Sequence, residues 1–130
     1  MANNYDTRLL EALLGGVFSM IKSGGKGGLS KLTLQQATKD APNAMGCYKI
    51  FCNGLKYVGK AEDGIRKRFV QYYNGTTADY KSGRLIYENR DRITVSWVVL
   101  PSREECRRVE REWIERYHPE WNTQSGWSHD

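Results

Sequence analysis

Between residues 7 and 22 the apolar side chains Leu9, Leu10, Leu13, Leu14, Val17, Phe18 and Ile21 recur every three or four positions, the period of an amphipathic helix. Asp6 or Thr7 stands where an N-cap belongs. Gly15 and Gly16 weaken its middle by roughly 1 kcal/mol each relative to alanine, so a break is allowed there. The pattern then stops at Ser23-Gly24-Gly25-Lys26-Gly27-Gly28. This run has neither the G-K-[ST] order nor the preceding apolar strand of a phosphate loop, and it reads as a linker. Residues 33–39 form a short second helix, ended by Asp40-Ala41-Pro42-Asn43.

From Met45 the period changes to two. Cys47–Cys52 and Leu55–Gly59 are strand-like runs joined through Asn53-Gly54, the dipeptide that best tolerates the two positive φ angles of a tight hairpin. A basic helix is predicted over 64–73, stopped by Asn74-Gly75, and a further helix around 79–90. Ile93–Leu100 alternates apolar and small polar residues and gives a third strand. Ser102, with Glu105 three positions on, opens a long charged helix as a capping box; Pro119 closes it. The chain is therefore α+β: a small three-stranded antiparallel sheet, made of a hairpin and one later strand, flanked by helices and preceded by a helical extension.

Length and charge narrow the classes. At 130 residues the chain has room for one domain. Twenty Lys and Arg against fifteen Asp and Glu leave a net charge of +5, which permits a polyanion partner without requiring one. No run approaches the ~18 apolar residues of a membrane span, and the N-terminus does not read as a secretory signal. The cysteines, Cys47, Cys52 and Cys106, are odd in number and not in C-x-x-C pairs, so reduced thiols in an intracellular (cytoplasmic) protein are expected. Cys47, Cys52, Cys106 and His118 have no structural-zinc spacing and become a metal site only if the fold gathers them.

Three features exceed a structural account. Tyr48 and Tyr57 sit on the two arms of the hairpin, where aromatic packing across strands is the ordinary role. Arg66-Lys67-Arg68 precedes Tyr72, and Arg68 shares a helix face with Tyr72 at i,i+4, a placement from which a guanidinium can grip a phosphate. Taken alone, that segment is an ordinary basic face. Glu110 lies on a stripe with Trp113, Ile114 and Tyr117, where a carboxylate calls for a metal, a cation or a catalytic partner. Glu105, Glu112 and Glu115 have neighbouring arginines to pair with.

The order of these elements resembles the GIY-YIG nuclease family. Gly46-Cys47-Tyr48 stands at the first signature tripeptide and Tyr57-Val58-Gly59 at the second. Arg68 stands at the family's arginine, Glu110 at its glutamate, and Asn122 at its asparagine after Pro119. The resemblance covers residues 45–123. It divides the chain into an extension, 1–44, and a nuclease-like domain, 45–130. Cys47 replaces an isoleucine, Gly64 looks like a one-residue insert that leaves Arg66 as a rival for the arginine role, and Tyr72 takes the place of a histidine. With Lys60 after the second tripeptide, these departures are closest to the small phage and restriction-type branch.

The resemblance implies hydrolysis of DNA phosphodiesters, double-stranded DNA being the expected partner, with one divalent cation. Mg²⁺ is expected, with Mn²⁺ as a substitute. Glu110 is the implied metal ligand, Arg68 the charge stabiliser and Tyr48 the group that orients water. Tyr57, Lys60 and Tyr72 assist, and Asn122 holds the helix to the hairpin. Arg66, Lys81 and Arg84 are candidate DNA contacts. Two cuts by one small site per chain imply a homo-oligomer. The contrasting reading is a catalytically inactive DNA- or RNA-binding module on the same scaffold.

Overall fold

A computed structural model describes residues 31–122. The helix expected over 7–22 and the glycine-rich run lie outside the described residues. In chain order the elements are β1 (Leu32–Thr33), α1 (Leu34–Asp40), β2 (Gly46–Phe51), β3 (Leu55–Ala61), α2 (Ile65–Asn74), α3 (Lys81–Glu88), β4 (Thr94–Val99) and α4 (Arg103–Tyr117). Short 3-10 turns follow α3 at Arg90–Arg92 and α4 at Glu120–Asn122.

The sheet has four antiparallel strands in the order β1-β4-β2-β3, not three. The added strand is the pair Leu32↔Val95 and Thr33↔Thr94. Two residues carry no readable alternation, which is why the sequence pattern misses it. Thr33 then caps α1: its hydroxyl accepts from Gln36 N–H at 3.0 Å, and Gln36 Oε1 accepts from Thr33 N–H at 2.9 Å. Leu34, Ala37 and Ala41 are fully buried in the main core. Residues 32–41, N-terminal to the boundary expected at 44/45, thus belong to the same sheet and core.

Alternation along β2 separates two cores. Tyr48 and Ile50 face Ile65, Phe69, Ile93 and Val95 on one side, while Cys47 joins Val58, Val98, Cys106, Val109 and Trp113 under α4 on the other. Lys49, on the α4 side, lays its ammonium over the rings of Trp113 and Tyr117 at 4.6 and 4.8 Å, a cation–π contact that accommodates a charge in a largely apolar layer. The hairpin turns as expected, with positive φ at Asn53 (65°) and Gly54 (104°). The pairing slips between Ile50↔Tyr57 and Phe51↔Leu55.

The capping box expected on α4 is only half made. Ser102 Oγ accepts from Glu105 N–H at 3.1 Å, but the Glu105 carboxylate turns to Arg108 at 2.7 Å. Arg108 also reaches Glu112 at 3.4 Å, so these carboxylates have the arginine partner their spacing predicts. The helix stops at Tyr117, with His118 in a left-handed conformation at φ 42°.

Candidate active site

The stripe of α4 that enters the core is Cys106, Val109 and Trp113. Glu110 flanks that stripe, half-buried, and projects to the free edge of the sheet at β3. Tyr48, Tyr57 and Arg68 approach the same edge from the opposite side. Together with Lys60, Glu62 and Asp63 they line one cleft of about 320 Å³. Tyr48 reaches this edge because the edge strand has a glycine where its ring must pass. A Cβ on Gly59 would lie 2.5 Å from Tyr48 Oη and 2.7 Å from Tyr48 Cζ, so the second tripeptide's glycine is required by the phenol of the first. Gly46 is fixed similarly by backbone, since a Cβ there would stand 2.0 Å from the Val98 carbonyl oxygen.

Hydroxyls meet in the floor of the cleft. Tyr48 Oη and Tyr72 Oη are 2.5 Å apart, and Arg68 Nη1 donates to Tyr48 Oη at 3.5 Å and to the Lys60 carbonyl at 3.2 Å. Gln71 Oε1 accepts from Arg68 Nε at 3.2 Å, steadying the guanidinium. Tyr57 packs against Tyr48 with ring centres 6.3 Å apart and lines a neighbouring cavity together with Tyr72 and Ser82. Burial pushes Tyr48, Tyr57 and Tyr72 above the ordinary phenol range, so all three are neutral at physiological pH and serve as hydroxyl donors and acceptors. Arg68, beside Tyr48, partly opposes that rise.

Burial also raises the Glu110 carboxyl; Lys60 and Arg68 pull it down, and Glu62 adds to the rise. Glu62 is held at the rim by Lys60 at 3.6 Å, Arg107 at 3.5 Å and Arg103 at 3.8 Å. The cleft therefore combines a half-buried carboxylate, a fixed guanidinium and neutral phenols. That set can hold a hard cation at one side and a phosphate oxygen at the other.

Other sequence candidates fall elsewhere. Arg66 donates from Nε to the Ala41 carbonyl at 2.7 Å, tying α2 to the end of α1 and keeping it out of the cleft. Asn122 is buried and bonds both backbone groups of Val58: its Oδ1 accepts from Val58 N–H and its Nδ2 donates to Val58 O, each at 3.0 Å. It fastens the turn after α4 to β3. Lys81 lines a neighbouring cavity, and Arg84 is exposed, with Nη1 3.4 Å from the Ala78 carbonyl. Among the described residues, no three His, Cys, Asp or Glu side chains gather to hold a metal ion, and the three cysteines are free thiols. No described helix is long and apolar enough to cross a membrane.

Sequence reading missed Glu62, Asp63, Gln71 and Ser82. Glu62 was within reach, because it stands just past the end of β3, two positions after Lys60, and Gln71 follows Arg68 by one helical turn. Ser82 gives no local signal, since its contact with Tyr57 depends on how α3 packs.

Comparison with known proteins bears on the whole of this region. The family model of the GIY-YIG catalytic domain matches residues 44–124. The GIY-YIG N-terminal endonuclease domain of UvrC from Thermotoga maritima, in its magnesium-bound form, is similar at 24% identity and TM-score 0.57. That match covers 68% of this chain and 94% of the other. A point mutant of the same domain bound to its catalytic divalent cation matches at 23% identity and TM-score 0.56, over 68% and 93%. At that identity the solved structures establish a shared fold, and the family model reaches the residues themselves: this chain belongs to the GIY-YIG catalytic domain family.

Proposed function

We propose that the protein is a divalent-metal-dependent endonuclease that hydrolyses DNA phosphodiesters in the cleft at the free edge of β3. The observation that carries this reading is the convergence of Tyr48, Tyr57, Arg68 and Glu110, from four separate elements, on one polar cleft. A binding module has no need of a half-buried carboxylate facing an arginine. The donor chemistry fits Mg²⁺, which keeps most of its waters and accepts one or two protein carboxylates. Glu110 is the residue to hold it, and its raised carboxyl pKa reflects a buried charge that a cation offsets. A bound divalent ion supplies Lewis-acid charge to the scissile phosphate and to the departing 3′ oxygen.

Arg68 supplies the fixed positive charge that a phosphoryl transition state requires, and Gln71 and the Lys60 carbonyl keep it aimed. Tyr48 orients the attacking water. Its pKa is far too high for it to act as a free phenolate, so it needs a proton acceptor or cationic help to take a proton. Tyr72, within hydrogen-bonding reach of Tyr48, fills the role of the missing histidine as a proton partner. Tyr57 and Lys60 tune the floor and the rim. Asn122 acts through position, holding β3. Arg66 serves α1, which leaves Arg68 as the catalytic arginine.

Lys60 and Tyr72 favour a restriction-type or phage nuclease, acting inside the cell as a homo-oligomer on duplex DNA, with Lys81 and Arg84 as phosphate contacts. Of the expected extension, residues 1–44, the part from Leu32 to Ala41 belongs to the sheet and core of the catalytic unit, and the residues before it serve as the extension. Incubation of plasmid with Mg²⁺ beside Glu110→Ala tests the activity. Cleavage that disappears in the variant is expected; no Glu110-dependent cleavage with any divalent metal leaves the inactive DNA- or RNA-binding module. Sedimentation tests assembly, a monomer with and without DNA counting against the oligomer.

A further inference from the structure

Beside the catalytic cleft lies a second, larger cavity of about 470 Å³, and the two share Tyr57 and Arg68 as a common wall. Tyr72 and Gln71 continue that wall, and Tyr80, Lys81 and Ser82 close the far side. Its chemistry differs from that of the cleft. The cleft is lined by three carboxylates, whereas no carboxylate lines this cavity among the described residues, and its charges are the cations Arg68 and Lys81. Tyr80 is 71% exposed, an aromatic side chain left in solvent at the cavity mouth. The volume lies in the range of small-molecule sites, with aromatic walls and a few polar groups to fix orientation.

We propose that this cavity is a nucleotide subsite, which seats the base next to the scissile phosphate after that base leaves the stack. The inference rests on the nuclease reading and extends it to the substrate's conformation. Tyr80 stacks on the base, Gln71 and Ser82 present an amide and a hydroxyl to its edge, and Lys81 meets the adjoining phosphate. Arg68 spans both chambers, so the phosphate it holds in the cleft is one nucleotide from the base in the subsite. Stacking on an aromatic side chain is tolerant of base identity, and the cost of unstacking is smallest where the base is already unpaired.

Binding is measured by fluorescence anisotropy in the Glu110→Gln background with a short duplex, taken from a sequence the protein cuts or of random sequence should it cut none. A single mismatch is moved along the duplex position by position. Tyr80→Ala is expected to weaken binding about 5- to 150-fold, and Tyr80→Trp to retain it. A mismatch at one position should tighten binding, and that gain should vanish in Tyr80→Ala. Lys81→Ala should flatten the salt dependence by about one ion. Tyr80→Ala binding within about twofold of its parent, or a mismatch gain that survives the substitution, overturns the subsite. Glu110-dependent cleavage with Tyr80-independent binding removes the subsite and keeps the nuclease. Tyr80-dependent binding without any cleavage does the reverse.

Discussion

Asn122 offers the sharpest separation between a residue that builds the site and one that touches substrate. Its side chain acts as a short strand, accepting from Val58 N–H and donating to Val58 O at 3.0 Å each, and Val58 is fully buried. In Asn122→Ala both backbone groups lose these partners in the interior. Each buried group so abandoned costs about 1–3 kcal/mol, and water entering the vacated space recovers part, so a net loss of about 2–4 kcal/mol is expected. For a domain of this size that lowers Tm by on the order of 10 °C.

Urea and thermal unfolding of the wild type and Asn122→Ala measure the loss, with plasmid cleavage run below both transitions. Asn122→Asp adds a diagnostic. As a carboxylate it faces the Val58 carbonyl with an acceptor, and burial further disfavours its charge. Its folded-state pKa is therefore raised, and its stability is present at low pH and lost as pH rises through that value. If Asn122→Ala unfolds within about 1 kcal/mol of the wild type yet cuts no DNA, the bond to Val58 is incidental and Asn122 belongs with the substrate.

Glu110→Gln should abolish cleavage while raising Tm at neutral pH. Burial raises the Glu110 carboxyl pKa, so the wild type loses stability as pH rises through that value, and the variant's advantage should shrink on acidification. Arg68→Lys should lower kcat about 100- to 1,000-fold through loss of the planar fork, whereas Arg66→Ala should keep kcat and lose about 1 kcal/mol of stability with its bond to Ala41. Cleavage assays and melts on both separate the two arginines. Gly59→Ala forces Tyr48 out of place; a loss of about 1–3 kcal/mol and of all cleavage is expected, and an active, stable variant would refute the close approach.

Much of this was legible in one dimension. The hairpin, its Asn53-Gly54 turn and the helices later seen at Ile65–Asn74 and Arg103–Tyr117 follow from period and turn chemistry, whereas Tyr48, Tyr57, Arg68, Glu110 and Asn122 stand out as a set only through the resemblance to the GIY-YIG family. Period and turn signals are local: each depends on neighbours a few positions away. The strand at Leu32–Thr33 was not legible, because two residues pair only when β4 is already in place.

Residue types and local patterning set which side chains are available and which elements carry them. Long-range packing decided that Arg68 enters the cleft while Arg66 turns to Ala41. Both lie on the same helix, and the packing of α2 against the sheet and α1 distinguishes them. It also decided that Tyr72 lies within hydrogen-bonding reach of Tyr48, that Ser82 meets Tyr57, and that Glu62 faces Glu110. Those contacts join residues up to 48 positions apart in the chain. Spacing along a polymer fixes direction within one helix or strand; the angle at which two elements pack is set by how their buried surfaces fill the space between them.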